Sequence, residues 1–481
     1  MDAAPEQKTF GQKLQEKIAQ SRFFTFSLLL HVVLVVVGGG AVLFHRISDA
    51  PDFTGDGSAL MNSEVSVQPP LEQPPDMSQQ QNVTPEAPSI SAPTVSAITT
   101  NATNNTAFQM ASIPTPVKAI AGDVKNLTDT KSLSKSAGKF PASMAGRQGG
   151  TARMAAMKKN EGKEKSEVAV MKGLHWLKDH QKEDGSWSDE FKPAMTGLAI
   201  LCFLGHGELP ESPEFGQTVQ KALEWVLSHG NEFQGRMSLT KDGWGGNEGV
   251  YQHAIVTYAM GEYFSMTKDE RFQPLLKLAI GYVVEGQNPL GGWDYGYAKG
   301  RRNDMSVAGW QIQALKAAHL TGLNLPGVDD ALEKSMKFIE AFQGNEGGFG
   351  YDHPENRLSV TGIGVLSRLF VTGDKDKVVR GGIDFLMGKA KVEYKSKDAD
   401  LYSWYYDTQA CLMFGGSAWT RWHKMFQDEI ADNQSPDGSW PPTQGGVGEL
   451  QKNPNGSGPY YRTTLCILML EVFYRYMPIN K

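Results

Sequence analysis

The chain has 481 residues, 40% of them hydrophobic, with 47 Lys and Arg against 53 Asp and Glu, a formal charge of −6. That mild acidity excludes the clustered basic surface a nucleic-acid binder needs. Three cysteines, Cys202, Cys411 and Cys466, sit in apolar runs, so a disulfide framework or a zinc knuckle is not expected and buried structural thiols are.

Residues 1–22 are polar and carry Lys8, Lys13, Lys17 and Arg22. An apolar run at 23–44 then has the ~20 residues that a helix needs to cross a bilayer. It is too long and too strongly flanked for a cleaved signal. Asp49, Asp52 and Asp56 follow it. The positive-inside rule therefore predicts a cytoplasmic tail at 1–22, a single transmembrane helix at 23–44, and everything after it in the periplasm. Gly38, Gly39 and Gly40 would let another helix approach closely. Ser27 and His31 lie one turn apart on one face of the span, and an imidazole in hydrocarbon needs a partner or a proton path. This Ser-x-x-x-His spacing resembles the transmembrane helix of TonB-like energy transducers. The resemblance implies docking of Ser27 and His31 on proton-driven, ExbB/ExbD-like motor subunits.

Residues 45–164 read as a disordered linker. As far as about residue 120 it is rich in Pro, Gln, Ser, Thr, Asn and Ala, and it turns basic at its end. Such a segment buries too little to fold. A coil of ~110 residues spans roughly 55–65 Å.

The folded domain is assigned to 165–481. It reads as six helix pairs, at 168–177 and 194–204, 219–227 and 251–264, 272–284 and 305–319, 332–342 and 360–370, 378–387 and 402–414, and 419–430 and 461–474. The first member of each pair is amphipathic. The second is apolar all round and rich in small residues, as in Thr361-Gly-Ile-Gly-Val365. A helix that is apolar all round is buried on all sides. Six hairpins with these helices inward close into a ring, and closure removes the need for polar capping repeats.

Between the members of a pair a Gln recurs six residues before an aromatic: Gln181 and Trp187, Gln287 and Trp293, Gln343 and Phe349, Gln434 and Trp440. A fifth copy, around Trp244, keeps Asp-Gly-Trp-Gly but lacks the Gln. The Gln amide is placed to bond the turn, where helix-end carbonyls lack partners. Asp-Gly and Gly-Gly supply the positive φ. The aromatic folds back and staples one hairpin to the next. The device is structural rather than catalytic.

These repeats resemble the QW repeats of squalene and terpenoid cyclases and of the related protein prenyltransferase β-subunits, over about 166–478. The resemblance implies an all-α fold, an (α/α)6 toroid with a central cavity lined by the inner helices. The family's chemistry is less complete. The Asp-x-Asp-Asp acid motif of the cyclases is missing. Its nearest counterpart is Asp398-Ala-Asp400, followed one helix later by Asp407. Asp407 and Cys411 lack the His of a prenyltransferase zinc site, so no metal and no cofactor are expected. The Gly-Cys-Gly-Glu-Gln motif of thioester toroids is also absent. A glycosidase on this barrel would use two carboxylates across a cleft, and Glu248 with Asp304 is the best pair, although both precede helices whose N-termini favour anions anyway. Asp294, Asp352 and His353 are further polar candidates near the cavity. Tyr251, His253, Trp310, Tyr405 and Tyr406 are candidates to line a cavity, or to be core. The resulting expectation is a membrane-anchored periplasmic toroid that acts as a binding module, motor-coupled through its anchor, with a lipid, isoprenoid or glycan as ligand. The alternative is a terpenoid-cyclase-like or glycan-active enzyme.

Overall fold

The structure is a computed structural model that describes residues 140–238, 244, 247–300, 302–446 and 448–476. The predicted span at 23–44, with Ser27 and His31, and the linker up to residue 139 lie outside the described residues. Among the described residues no helix is long and apolar enough to cross a membrane.

The described part is all-helical apart from isolated bridges at the Gln343 turn. After a short helix α1 (Gly150–Lys159), twelve long helices alternate between two layers. The outer layer holds α2 (Glu164–Asp179), α4 (Gly216–Glu232), α6 (Phe272–Gly286), α8 (Val328–Ala341), α10 (Lys377–Lys389) and α12 (Gly416–Asp432). The inner layer holds α3 (Lys192–His206), α5 (Gly249–Thr267), α7 (Met305–Leu320), α9 (Leu358–Thr372), α11 (Leu401–Phe414) and, beyond the short α13 (Glu449–Lys452), α14 (Gly458–Leu470). A last turn, α15 (Val472–Arg475), ends the described chain.

Periodicity explains the layering. In α8 the buried residues are Val328, Ala331, Leu332, Ser335, Phe338 and Ile339, one stripe at 3.6-residue spacing. In α5 every residue from Gly249 to Thr267 is buried. Consecutive inner helices pack on one another, α14 packs on α3, and the last outer helix α12 packs on the first, α2. The ring is therefore closed.

The Gln–aromatic turns carry out the closure. Each Gln Nε2 donates to a carbonyl of its own turn and to one in the next outer helix: Gln181 to Gly185 and Thr218, Gln287 to Gly291 and Ala331, Gln343 to Gly347 and Val378, all at 2.8–2.9 Å. Gln434 donates to Gly438 at 2.9 Å and to Ala169 at 2.8 Å, which joins the sixth hairpin to the first. The turn glycine must be glycine twice over. Gly438 has φ +97°, and a Cβ there would sit 2.3 Å from the Lys172 carbonyl of α2. The aromatic works mainly within its own hairpin. Trp187, Trp293 and Trp440 donate their indole N–H to Leu177, Val283 and Ile430, each on the preceding outer helix. The Trp440 ring lies against Gly173 of α2, so it also packs across the joint. The predicted staple is thus shared, with the Gln amide as its hydrogen-bonded half. Gln434→Ala is expected to cost roughly 1–3 kcal/mol, read in urea unfolding, because two carbonyls lose their donor.

The folded region begins earlier than composition suggests. Residues 140–164, read as linker, form a 3-10 turn (Ala142–Arg147) and α1, and both pack on the ring. Arg147 is fully buried, Asn160 donates to the Phe473 carbonyl at 2.6 Å, and Trp419 donates to the Asn160 carbonyl. This strap crosses the joint between the first and last hairpins.

Candidate functional site

The turns place the N-terminal ends of the inner helices at one mouth of the toroid, and the predicted carboxylates gather there. Asp304 is the N-cap of α7. Its Oδ1 accepts the backbone N–H of Ser306 at 2.9 Å and of Val307 at 3.3 Å, and its Oδ2 accepts from Arg302 at 2.8 Å. Burial holds its carboxyl above the usual range in spite of these bonds. Arg302 also pairs with Asp294 and Asp352 and lies over the Tyr295 ring. His353 is exposed beside Asp352. Asp400 caps α11 through Tyr402 and Ser403, and burial pushes it up to about 6. Asp398 is half-buried in the preceding turn, and one of its carboxyl oxygens has no hydrogen-bond partner. Glu248 is half-buried just before α5 and makes no capping bond. With Asp304 committed to a cap and to Arg302, the Glu248–Asp304 pair loses one of its carboxylates.

Asp407 is not among the residues that line the pocket at the opposite end of the toroid. It is fully buried in mid-helix against α9, where a Cβ on Gly362 would meet its Oδ1 at 2.2 Å. Ser403 donates to Oδ2 at 2.9 Å. The Gly362 N–H lies near Oδ1 without reaching hydrogen-bond geometry. Burial raises this carboxyl well above its ordinary value. Among the described residues no three His, Cys, Asp or Glu side chains are placed to hold a metal ion. The three cysteines are free and buried.

Four of the five cavity candidates are buried inside the ring, where tyrosines of α11 reach across to α7. Helices α7 and α11 are two places apart in the ring, with α9 between them. Yet Tyr402 donates to the Ser306 carbonyl at 3.0 Å, Tyr405 donates to Gln313 Oε1 at 3.1 Å, and Gln313 donates to the Tyr406 hydroxyl at 3.1 Å. Trp310 stacks on Tyr405 with centroids 5.4 Å apart. The Tyr251 hydroxyl bonds Ser306 at 2.8 Å. Tyr251, Trp310, Tyr405 and Tyr406 are all buried. His253 points the other way, into the outer layer. Its Nδ1 accepts the Met237 N–H at 3.0 Å and its Nε2 donates to the Ala279 carbonyl at 2.9 Å. Trp244 is half-buried, edge-on to His253, Tyr282 and Tyr297.

Among the described residues, open space is found at the opposite end, among the C-terminal turns of α5, α7, α9 and α11. A pocket of about 500 Å3 is walled mostly by apolar side chains, including Met144, Leu320, Leu369, Phe370 and Met413. Ser143, Tyr258, Glu262, Gln313, Lys316, Thr372 and Tyr476 supply its polar groups. Behind it Arg147 donates to Glu262 Oε2 at 2.7 Å, Arg475 stands 3.8 Å from Oε1, and Tyr476 also donates to Glu262. Burial opposes ionisation of Glu262, but the two guanidinium groups hold it down at about 2. Reading from the sequence passed over this end. Its signal was Glu262, the one acid of its inner helix, and Lys316, the one Lys or Arg of its own.

No family model matches the chain, and no curated protein matches it. Among solved structures it is similar to the GH76A α-1,6-mannanase from Salegentibacter sp. HEL1_6, at 10% identity and a TM-score of 0.49, over 65% of this chain and 99% of that one. It is also similar to the type II terpene cyclase MstE from Scytonema, at 10% identity and a TM-score of 0.44, over 64% of this chain and 97% of that one. At these values neither likeness bears on what this chain does.

Proposed function

We propose that this chain is a binding module, tethered to the inner membrane by residues 23–44, with its toroid in the periplasm and its pocket at the C-terminal ends of the inner helices. The observation that carries the reading is the division of the toroid. Tyrosines of α11 cross the lumen to α7, the mouth carboxylates Asp304 and Asp400 serve as caps, and a pocket among the described residues lies at the other end. About 500 Å3 of mostly apolar space with a few polar groups falls within the ~300–1,000 Å3 of small-molecule sites. The flanking charges of the span support the tether, and Ser27 with His31 supports coupling to proton-driven motor subunits.

One observation favours an enzyme. Asp400 and Asp407 are carboxyls raised by burial next to tyrosines, and burial that favours the protonated form is what the acid of an alkene-protonating cyclase needs. Native purification in mild detergent, followed by mass spectrometry of bound lipids, glycans and proteins, separates the readings. The expected result is a stoichiometric small molecule that Asp407→Asn retains unchanged. Turnover of an isoprenoid or a glycan that disappears in Asp407→Asn or Asp400→Asn would overturn the binding-module reading. Motor subunits should copurify with the parent chain and be lost from His31→Ala; equal recovery from both would sink the coupling.

A further inference from the structure

We propose that the pocket takes a single-chain amphiphile with an anionic head, a carboxylate or a phosphate monoester, and that Lys316 receives the head. The inference rests on the binding-module reading and goes on to name the ligand's charge and shape.

Shape comes from the walls. Leu320, Leu369, Phe370, Val371 and Met413 give an apolar surface along one side. Ala142, Ser143 and Met144 of the strap close the other. A volume of about 500 Å3 lies in the lower part of the ~300–1,000 Å3 range of small-molecule sites. That suits one alkyl chain and a small head, and it is tight for a two-chain lipid.

Charge comes from what is already paired. Glu262 is the one carboxylate among the pocket residues, and it is taken by Arg147 and Arg475. It is therefore no counterion for Lys316. Gln313 is spent on Tyr405 and Tyr406. Lys316 is partly buried on α7 and, among the described residues, has no carboxylate within 4.0 Å. The carboxylate whose field reaches it, Asp329, is bonded to His319 at 2.7 Å. Behind the wall, Arg475 is fully buried with Nε and Nη1 lacking hydrogen-bond partners. Lys316, Arg147 and Arg475 thus stand against Glu262 and the buried Glu471, whose carboxyl burial pushes well above its ordinary value. A partly desolvated ammonium beside an apolar cleft favours an anion whose tail fills the cleft, and disfavours a cationic one.

The test uses the full chain in amphipol and native mass spectrometry with four added probes: dodecanoate, dodecyl phosphate, dodecanol and dodecyltrimethylammonium. The parent chain is expected to retain dodecanoate, dodecyl phosphate or both, in preference to the cationic probe. Retention of one anion alone identifies the head, and retention of both identifies the shared chemistry. Lys316→Met keeps the aliphatic stem, and it should weaken the anions about tenfold, the loss of one charge-assisted bond, while dodecanol is unchanged. Met413→Trp should weaken every probe, which locates them in the pocket. Anion retention that Lys316→Met leaves unchanged would overturn the proposal while the pocket still binds. Retention of none of the probes by the parent chain would overturn the proposal, while a small molecule carried through native purification would still support the binding-module reading.

Discussion

Arg147→Met is expected to lower the unfolding free energy by about 3–5 kcal/mol, the usual cost of removing one partner from a buried ion pair. Arg147 is fully buried and makes two bonds to Glu262, at 2.7 and 3.4 Å, and one to the Arg475 carbonyl at 2.7 Å. The variant leaves Glu262 with Arg475 at 3.8 Å and the Tyr476 hydroxyl, in a site where burial penalises its charge. The measurement is urea unfolding of Arg147→Met, Glu262→Gln and the double variant. A double variant more stable than Arg147→Met assigns the loss to the stranded carboxylate. Equal stability of Arg147→Met and the parent chain would remove the strap from the fold. The pH dependence follows from Glu262. Its folded pKa of about 2 lies below the ordinary 4.5, so its contribution is present above pH 4.5 and is lost as pH falls toward 2. The Arg147→Met variant should lose much of that acid sensitivity. The same pairing sets where the domain can be cut. A chain that starts at residue 165, the boundary composition suggests, strands Glu262 in the same way, whereas one that starts at residue 140 does not.

The parts legible in the sequence are those that repeat. Gln434 and Trp440 could be read because three other pairs keep the same spacing, and the twelve long helices follow from the apolar patterns between them. Arg147 could not be read, since it is one cation in a basic stretch and only the fold brings Glu262 to it, 115 residues away. The site suffered from a different ambiguity. A carboxylate just before an inner helix looks the same in sequence whether it caps the helix or attacks a substrate, and Asp304 and Asp400 are caps. Aromatics on an inner helix look the same whether they line a lumen or cross it. Tyr405 and Tyr406 cross it, because Gln313 of α7 lies within reach of both hydroxyls. Helical period places a side chain on the inner face and does not say how far inward the opposite helix comes.

His253→Gln should flatten the acid limb of the stability curve between pH 6.5 and pH 4. His253 is fully buried between α5 and the outer layer, and its neutral form is fixed by both neighbours. Nδ1 must be unprotonated to accept from Met237, so the proton sits on Nε2 and is donated to Ala279. A second proton would put a charge in a dry site and face the Met237 N–H with another donor. Burial, aided by Arg236, therefore lowers its pKa from 6.5 to about 4. The sign follows from this depression. The unfolded chain binds the proton first, so the stabilisation is complete above pH 6.5 and is lost as pH falls to about 4. The loss totals about 3 kcal/mol at about 1.4 kcal/mol per pH unit. His206 works in the opposite sense. Burial lowers its pKa, but Glu167 and Glu208 outweigh that and raise it, so its contribution is largest in acid and fades as pH rises. The parent curve contains both, which is why the test is the difference between two proteins. Gln at position 253 can still accept from Met237 and donate to Ala279, yet it does not titrate. Urea unfolding at several values between pH 7 and pH 4 should show the parent losing about one proton's worth of slope more than His253→Gln. Parallel curves would mean that His253 takes up its second proton in the folded chain as readily as in the unfolded one.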